Sequence, residues 1–139
     1  LLFLVDEDTN AFNEVMAATR LPQSSPEEKT TKVKAVQEAN IYAIRVPWEV
    51  AKLSYRVMEL ALQLVNEGNP NSVSDVGVAG EVGMAAIRGA CLNILINLPG
   101  IESEDRFVKD MNTKMDALIP KAEKLQKQIL KETINKINS

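Results

Sequence analysis

The stretch Asn69-Pro70-Asn71-Ser72-Val73-Ser74-Asp75-Val76-Gly77-Val78-Ala79, continued to Asn93-Ile94-Leu95-Ile96-Asn97-Leu98-Pro99-Gly100, decides the fold. An Asn/Ser/Asp cluster opens it and Pro-Gly closes it, the start and stop signals of a long helix. At about 100° per residue, Asp75, Ala79, Val82, Ala86, Gly89, Asn93 and Asn97 share one stripe with polar ends and a small-residue middle. A core helix would fill such a stripe with Leu, Ile or Phe, so this one leaves a shallow trough. Two occupants suit it: a neighbouring helix approaching over Ala86 and Gly89, or a small molecule between Asp75 and the Asn93/Asn97 pair. Asp75 and Asn93 are roughly 27 Å apart along a helix axis, so they cannot hold one small group together. Asn93 and Asn97, at i and i+4, can.

Working outward, the other long segments are also helical. From Leu1 to Arg20, the positions Leu1, Leu4, Val5, Ala11, Phe12, Val15, Ala18 and Thr19 form an apolar stripe that Pro22 ends. Asp8 lies within that stripe, among expected core positions. A buried carboxylate costs several kcal/mol unless it is compensated, so Asp8 is either paired in a structural salt bridge or functional, with Asp6 as the runner-up. Ser25-Pro26-Glu27-Glu28 starts the next helix with an N-cap and a capping box. Its inward face carries Val33, Val36, Gln37, Asn40, Ile41 and Ile44. The amides of Gln37 and Asn40 need partners there, and a ligand is one candidate. Val46-Pro47 should kink or break the helix. The pattern resumes at Val50 and runs to a Gly68 cap, with Trp48 and Tyr55 as packing residues. Ser103 is the expected N-cap of a last helix that reaches about Ile137, with a bend at Pro120. The expectation is a single all-α domain over residues 1–139: an up-and-down bundle of about five long helices, counting both sides of Pro47.

Composition narrows the function. The net charge of −3 leaves no basic field for nucleic acid. The Val76–Leu98 run is interrupted by Glu81, Arg88, Asn93 and Asn97, which argues against a membrane span, and Leu1–Val5 lacks the features of a signal peptide. The single cysteine, Cys91, lies on the helix face opposite Asp75 and Asn93 and reads as a core residue. With no histidine in the chain and no metal-ligand spacing, acid-base chemistry falls to carboxylates or lysines.

The run from Gly68 to Ala79, with Ala85-Ala86-Ile87-Arg88-Gly89-Ala90 and Asn93-Ile94-x-Ile96-Asn97, resembles the cyclodeaminase/cyclohydrolase family of folate enzymes. So do Val5-Asp6-Glu7-Asp8-Thr9-Asn10-Ala11-Phe12 with Val15-Met16-Ala17-Ala18, Arg20-Leu21-Pro22, and Gln37-Glu38-Ala39 leading to Val46-Pro47. The family begins with a Ser/Pro/Gly-rich turn ending in a Gly-Gly-Gly-Ser type sequence and an Ala-rich helix. Nothing here corresponds to either, so the expectation is that an N-terminal segment is missing from this sequence. The resemblance implies a cytoplasmic enzyme that uses no metal or organic cofactor and assembles as a homodimer or higher homo-oligomer. It implies closure of 5-formimidoyl-tetrahydrofolate to the 5,10-methenyl form with loss of ammonia, or opening of the methenyl form by water. A bundle that binds folate, or serves as an assembly domain, without turnover is the competing class. The resemblance favours Asp8 as the catalytic carboxylate, with Asp75 as the alternative. Asn93, Asn97, Gln37 and Asp6 are then candidate substrate contacts, and Arg88 is structural or a subunit contact.

Overall fold

A computed structural model describes residues 1–102 and 105–139. It contains four long helices rather than five: α1 (Leu2–Thr19), α2 (Pro26–Glu67), α3 (Val73–Asn97) and α4 (Arg106–Ile137). The difference lies at Pro47, where α2 continues without a break for 42 residues. Pro47 is fully buried. Packing on both sides of it holds the helix together although the proline cannot donate a backbone hydrogen bond. Helix α4 likewise runs through Pro120.

The ends follow the local chemistry. Ser25 caps α2: its side chain accepts from Glu28 N at 3.1 Å, while Glu28 Oε2 accepts from Ser25 N at 3.1 Å. Gly68 ends it, donating to the Leu64 carbonyl. Pro70–Ser72 form a single 3-10 turn ahead of α3, and Leu98–Gly100 form another after it. Ser103, the expected cap of the last helix, lies outside the described residues. Asp105 caps α4, its carboxylate accepting from Phe107 N at 2.7 Å.

Each helix runs antiparallel to its neighbour in the chain. The α3/α4 pair is marked by Gly77 against Thr133, Gly80 against Ile129, and Arg88 paired with Glu123 at 3.0 Å. Three glycines make the close approach: a Cβ at Gly77, Gly80 or Gly83 would sit 2.8, 2.9 or 2.5 Å from Thr133, Ile129 or Met58. The main core lies between α2, α3 and α4, around Ile44, Met58, Met84, Ile87, Ile94, Met111 and Ile129. Cys91 belongs to it, and burial pushes its thiol pKa up. Among the described residues, α3 is the one helix long and apolar enough to cross a membrane by length and composition; one face of it forms this core.

The other face of α3 is open. Asp75, Val78, Val82, Ala85, Gly89, Leu92 and Ile96, spaced alternately three and four apart, are all exposed. That is the spacing of a helix–helix seam. Helix α1 also differs from expectation. Of its apolar stripe only Ala11 and Ala18 are buried, while Val5 is 65% and Phe12 63% exposed. The cause is that α1 packs chiefly on α2, with Ala11 against Ala43 and Val46, and no further layer covers its outer side.

The rotation of α1 is set by a polar contact. The Tyr42 hydroxyl donates to Glu7 Oε2 at 2.6 Å. This bond, with desolvation and the Glu7 charge, raises the phenol from 10.0 to about 12. Because the folded value exceeds the unfolded one, the stabilisation is complete below the unfolded pKa and disappears as pH rises through about 12. Tyr42→Phe should therefore unfold at a lower temperature than wild type at neutral pH, and the gap should close as the medium is made alkaline through that window. A pH-independent gap would rule the bond out. The glycines give a second test, read from urea midpoints. Gly80→Ala should cost about 1–3 kcal/mol through overpacking against Ile129. Gly89→Ala, whose Cβ meets nothing within 4 Å, should add up to about 1 kcal/mol of helix stability. Shifts of the same sign would refute this assignment of the two faces.

Candidate functional site

Helices α1 and α3 both lie on α2 and leave a cleft between them. One part is a groove of about 430 Å³ walled by Leu4, Asp8, Pro47, Val50, Gly89 and Asn93. The adjoining part, about 280 Å³, is bounded by Asp8, Phe12, Ala43, Asn93, Ile96 and Asn97. Asp8 and Asn93 border both. Asp8 is the one ionisable side chain on these walls. Its carboxylate makes no hydrogen bond or ion pair with the described residues, so among them its charge has no counter-ion. The Asn93 side chain is equally uncommitted, whereas Asn97 Nδ2 donates to the Asn93 carbonyl at 2.8 Å. That i to i−4 bond leaves Asn97 its side-chain carbonyl as a free acceptor.

Of the candidates named from sequence, Asp8, Asn93 and Asn97 are therefore brought together. Asp8 is not buried, contrary to its position in the apolar stripe, because that side of α1 is exposed. Asp75 is not part of this cleft. It lies on a separate depression with Val57, Leu60 and Ala79, toward the opposite end of α3 from Asn93. Gln37 is also elsewhere: its Nε2 donates to Asp105 Oδ2 at 3.1 Å, tying α2 to the start of α4. It borders a further depression with Lys29, Lys32 and Val33. The other amide, Asn40, is buried and donates to the Val36 carbonyl at 2.8 Å. Asp6 is exposed and borders neither part of the cleft. Arg88 is structural, held by Glu123. Among the described residues, no three His, Cys, Asp or Glu side chains gather where they could hold a metal ion.

The sequence reading missed Ala43 and Pro47 as walls of the cleft and Tyr42 as the anchor of α1. A proline inside an otherwise helical pattern was a visible signal, but it pointed to a helix boundary rather than a wall. The Glu7–Tyr42 contact spans 35 positions, beyond any local pattern.

Comparison with known proteins gives consistent matches. The formiminotransferase-cyclodeaminase family profile matches residues 1–117. A methenyltetrahydrofolate cyclohydrolase from Methylorubrum extorquens is 31% identical over 135 residues, covering 97% of this chain and 64% of that protein. The formimidoyltransferase-cyclodeaminase of Gallus gallus is 32% identical over 122 residues, covering 88% of this chain and 22% of that protein. A crystal structure of a formiminotetrahydrofolate cyclodeaminase from Thermotoga maritima superimposes with a TM-score of 0.80 at 26% identity, covering 96% of this chain and 62% of that one. The chain thus spans less than two thirds of the length of these relatives. With most of its length matched by the profile and by these proteins, the chain belongs to the formiminotransferase-cyclodeaminase family.

Proposed function

We propose that the protein is a folate one-carbon enzyme whose reaction takes place in the cleft between α1 and α3. The observation that supports this most directly is the uncommitted Asp8 carboxylate facing the uncommitted Asn93 amide across an apolar cleft. The substrate class comes from the relatives. In the cyclodeaminase reading, N10 of 5-formimidoyl-tetrahydrofolate attacks the formimidoyl carbon. Starting from the protonated, amidinium form, the N10–C bond forms, the bond from that carbon to the terminal nitrogen breaks, and ammonia leaves with the proton lost from N10. Asp8 stabilises the amidinium-like charge and relays that proton. Asn93 and Asn97 bind the pterin edge. The one-carbon centre is already electrophilic and the step needs only proton transfer, so this chemistry requires neither metal nor organic cofactor. The protein works in the cytoplasm in this reading.

A second reading is favoured by one observation, the cyclohydrolase match along 97% of the chain. The same carboxylate would then take a proton from water as its oxygen bonds to the methenyl carbon; the C–N5 bond breaks and N5 takes a proton, leaving 10-formyl-tetrahydrofolate. The methenyl absorbance band separates the readings. Its appearance from 5-formimidoyl-tetrahydrofolate on adding protein establishes the deaminase, and its loss faster than in buffer establishes the hydrolase. No change with folate still bound would leave a non-catalytic folate-binding bundle. Asp8→Asn should lower turnover by roughly 10²-fold or more with the helical fold intact; activity within a fewfold of wild type would remove Asp8 from the mechanism. Asn93→Ala should raise KM for the folate, and unchanged KM and kcat would reduce Asn93 to a packing role.

A second copy of the chain covers the open seam of α3. Supporting this, the seam is self-complementary about a two-fold axis between Ala85 and Gly89: antiparallel pairing sets Val78 against Ile96, Val82 against Leu92 and Ala85 against Gly89. Its one charge, Asp75, then falls beyond the partner's helix end, while Leu92 at 66% and Ile96 at 77% exposure gain cover. Sedimentation equilibrium should give twice the 15.3 kDa chain mass, and Leu92→Glu should return it to the single chain. A monomeric wild type at micromolar concentration would exclude the seam as a self-interface.

A further inference from the structure

We propose that the backbone carbonyl oxygen of Ala43, left without its helical donor by Pro47, accepts a hydrogen bond from an N–H of the bound ligand. This rests on the folate reading of the cleft. In an α-helix each carbonyl accepts from the amide four residues on. Helix α2 runs uninterrupted through residue 47, and proline has no N–H to give. The carbonyl of Ala43 therefore points along the axis toward a residue that cannot satisfy it. None of the side-chain hydrogen bonds made by α1, α2 or α3 ends on it.

Its position turns this local defect into a binding feature. Ala43 borders the smaller part of the cleft and Pro47 the larger, and both parts are bounded by Asp8 and Asn93. The orphaned oxygen thus sits on α2 at the junction, below the two uncommitted polar side chains. Ala43 keeps 8% of its surface exposed and both residues border the cleft, so a donor reaches this carbonyl from the cleft side. An unpaired acceptor in such a place costs free energy that a ligand donor can recover. Together the carboxylate of Asp8 and the carbonyl of Ala43 present two acceptors, while Asn93 offers both a donor and an acceptor. That set suits a planar heterocycle carrying several N–H groups, and it discriminates against one in which a ring N–H has become carbon.

The test uses Pro47→Ala, which restores the missing amide donor to Ala43. The variant should match or exceed the wild-type unfolding temperature, because it removes a helix-interior proline. It should nevertheless bind tetrahydrofolate about three- to tenfold more weakly, the value of one hydrogen bond. Two analogues, one lacking the N8–H and one lacking the 2-amino group, identify the donor. For one of them the wild type should lose affinity while Pro47→Ala loses no more than it already has. If alanine leaves a destabilising hole, Pro47→Val supplies the same N–H with similar bulk. Tetrahydrofolate affinity within twofold of wild type in a folded variant, or losses that simply add for both analogues, would overturn the contact. A wild type with no affinity for tetrahydrofolate would instead overturn the folate reading, and this contact with it.

Discussion

The close approach of α3 to α2 and α4 over Gly77, Gly80 and Gly83 is the constraint on which the rest of the structure depends. A Cβ at these positions would press on the Thr133, Ile129 and Met58 side chains, so glycine there lets the three helices approach without displacing them. Seating α3 in this way fixes its rotation. Met84, Ile87, Cys91 and Ile94 turn inward, and the face bearing Gly89 and Asn93 turns away from the core. The cleft is a consequence of that rotation. Gly89 resembles the other glycines in sequence, but a Cβ there would meet nothing within 4 Å in the chain, so the three-helix core does not require it.

The second constraint is Pro47. A 42-residue helix needs continuous support, and α2 receives it from α3 and α4 on one side and α1 on another. This support holds the proline in helical conformation at a cost of about 3 kcal/mol in an unsupported helix interior. The polar equipment nearby is sparse: one carboxylate, two amides and one backbone oxygen among apolar walls. Sparse polar groups in an apolar recess give orientation and charge stabilisation at low cost in desolvation.

Much of the fold was legible because its signals are local. The Ser25/Glu28 capping box, the Gly68 stop and the Asn/Ser/Asp start of α3 each depend on a few adjacent residues. The error at Pro47 has a physical reason: intrinsic helix preference was overridden by tertiary packing, which no local window contains. The same reason explains Asp8. Its helical phase was right, but phase says which residues share a face and not whether anything covers that face. Asp75 and Asn93 were correctly placed on one stripe, yet a stripe is longer than a site, and the two residues border separate depressions. Gln37 was correctly judged to need a partner. That the partner is Asp105, 68 positions away, was beyond the reach of sequence pattern.

Helix α1 is the least anchored element of the site. It buries only Ala11 and Ala18, and the Glu7–Tyr42 bond orients it next to the residue that carries the cleft's charge. Asp8 therefore depends on a helix held mainly by one neighbour, while Asn93 belongs to the glycine-locked core. A ligand bonded to both would tie the weakly held helix to the firmly held one. The free energy of that bridge would add to the stability of α1 by mass action. Occupancy of the cleft and the anchoring of α1 are coupled by this geometry.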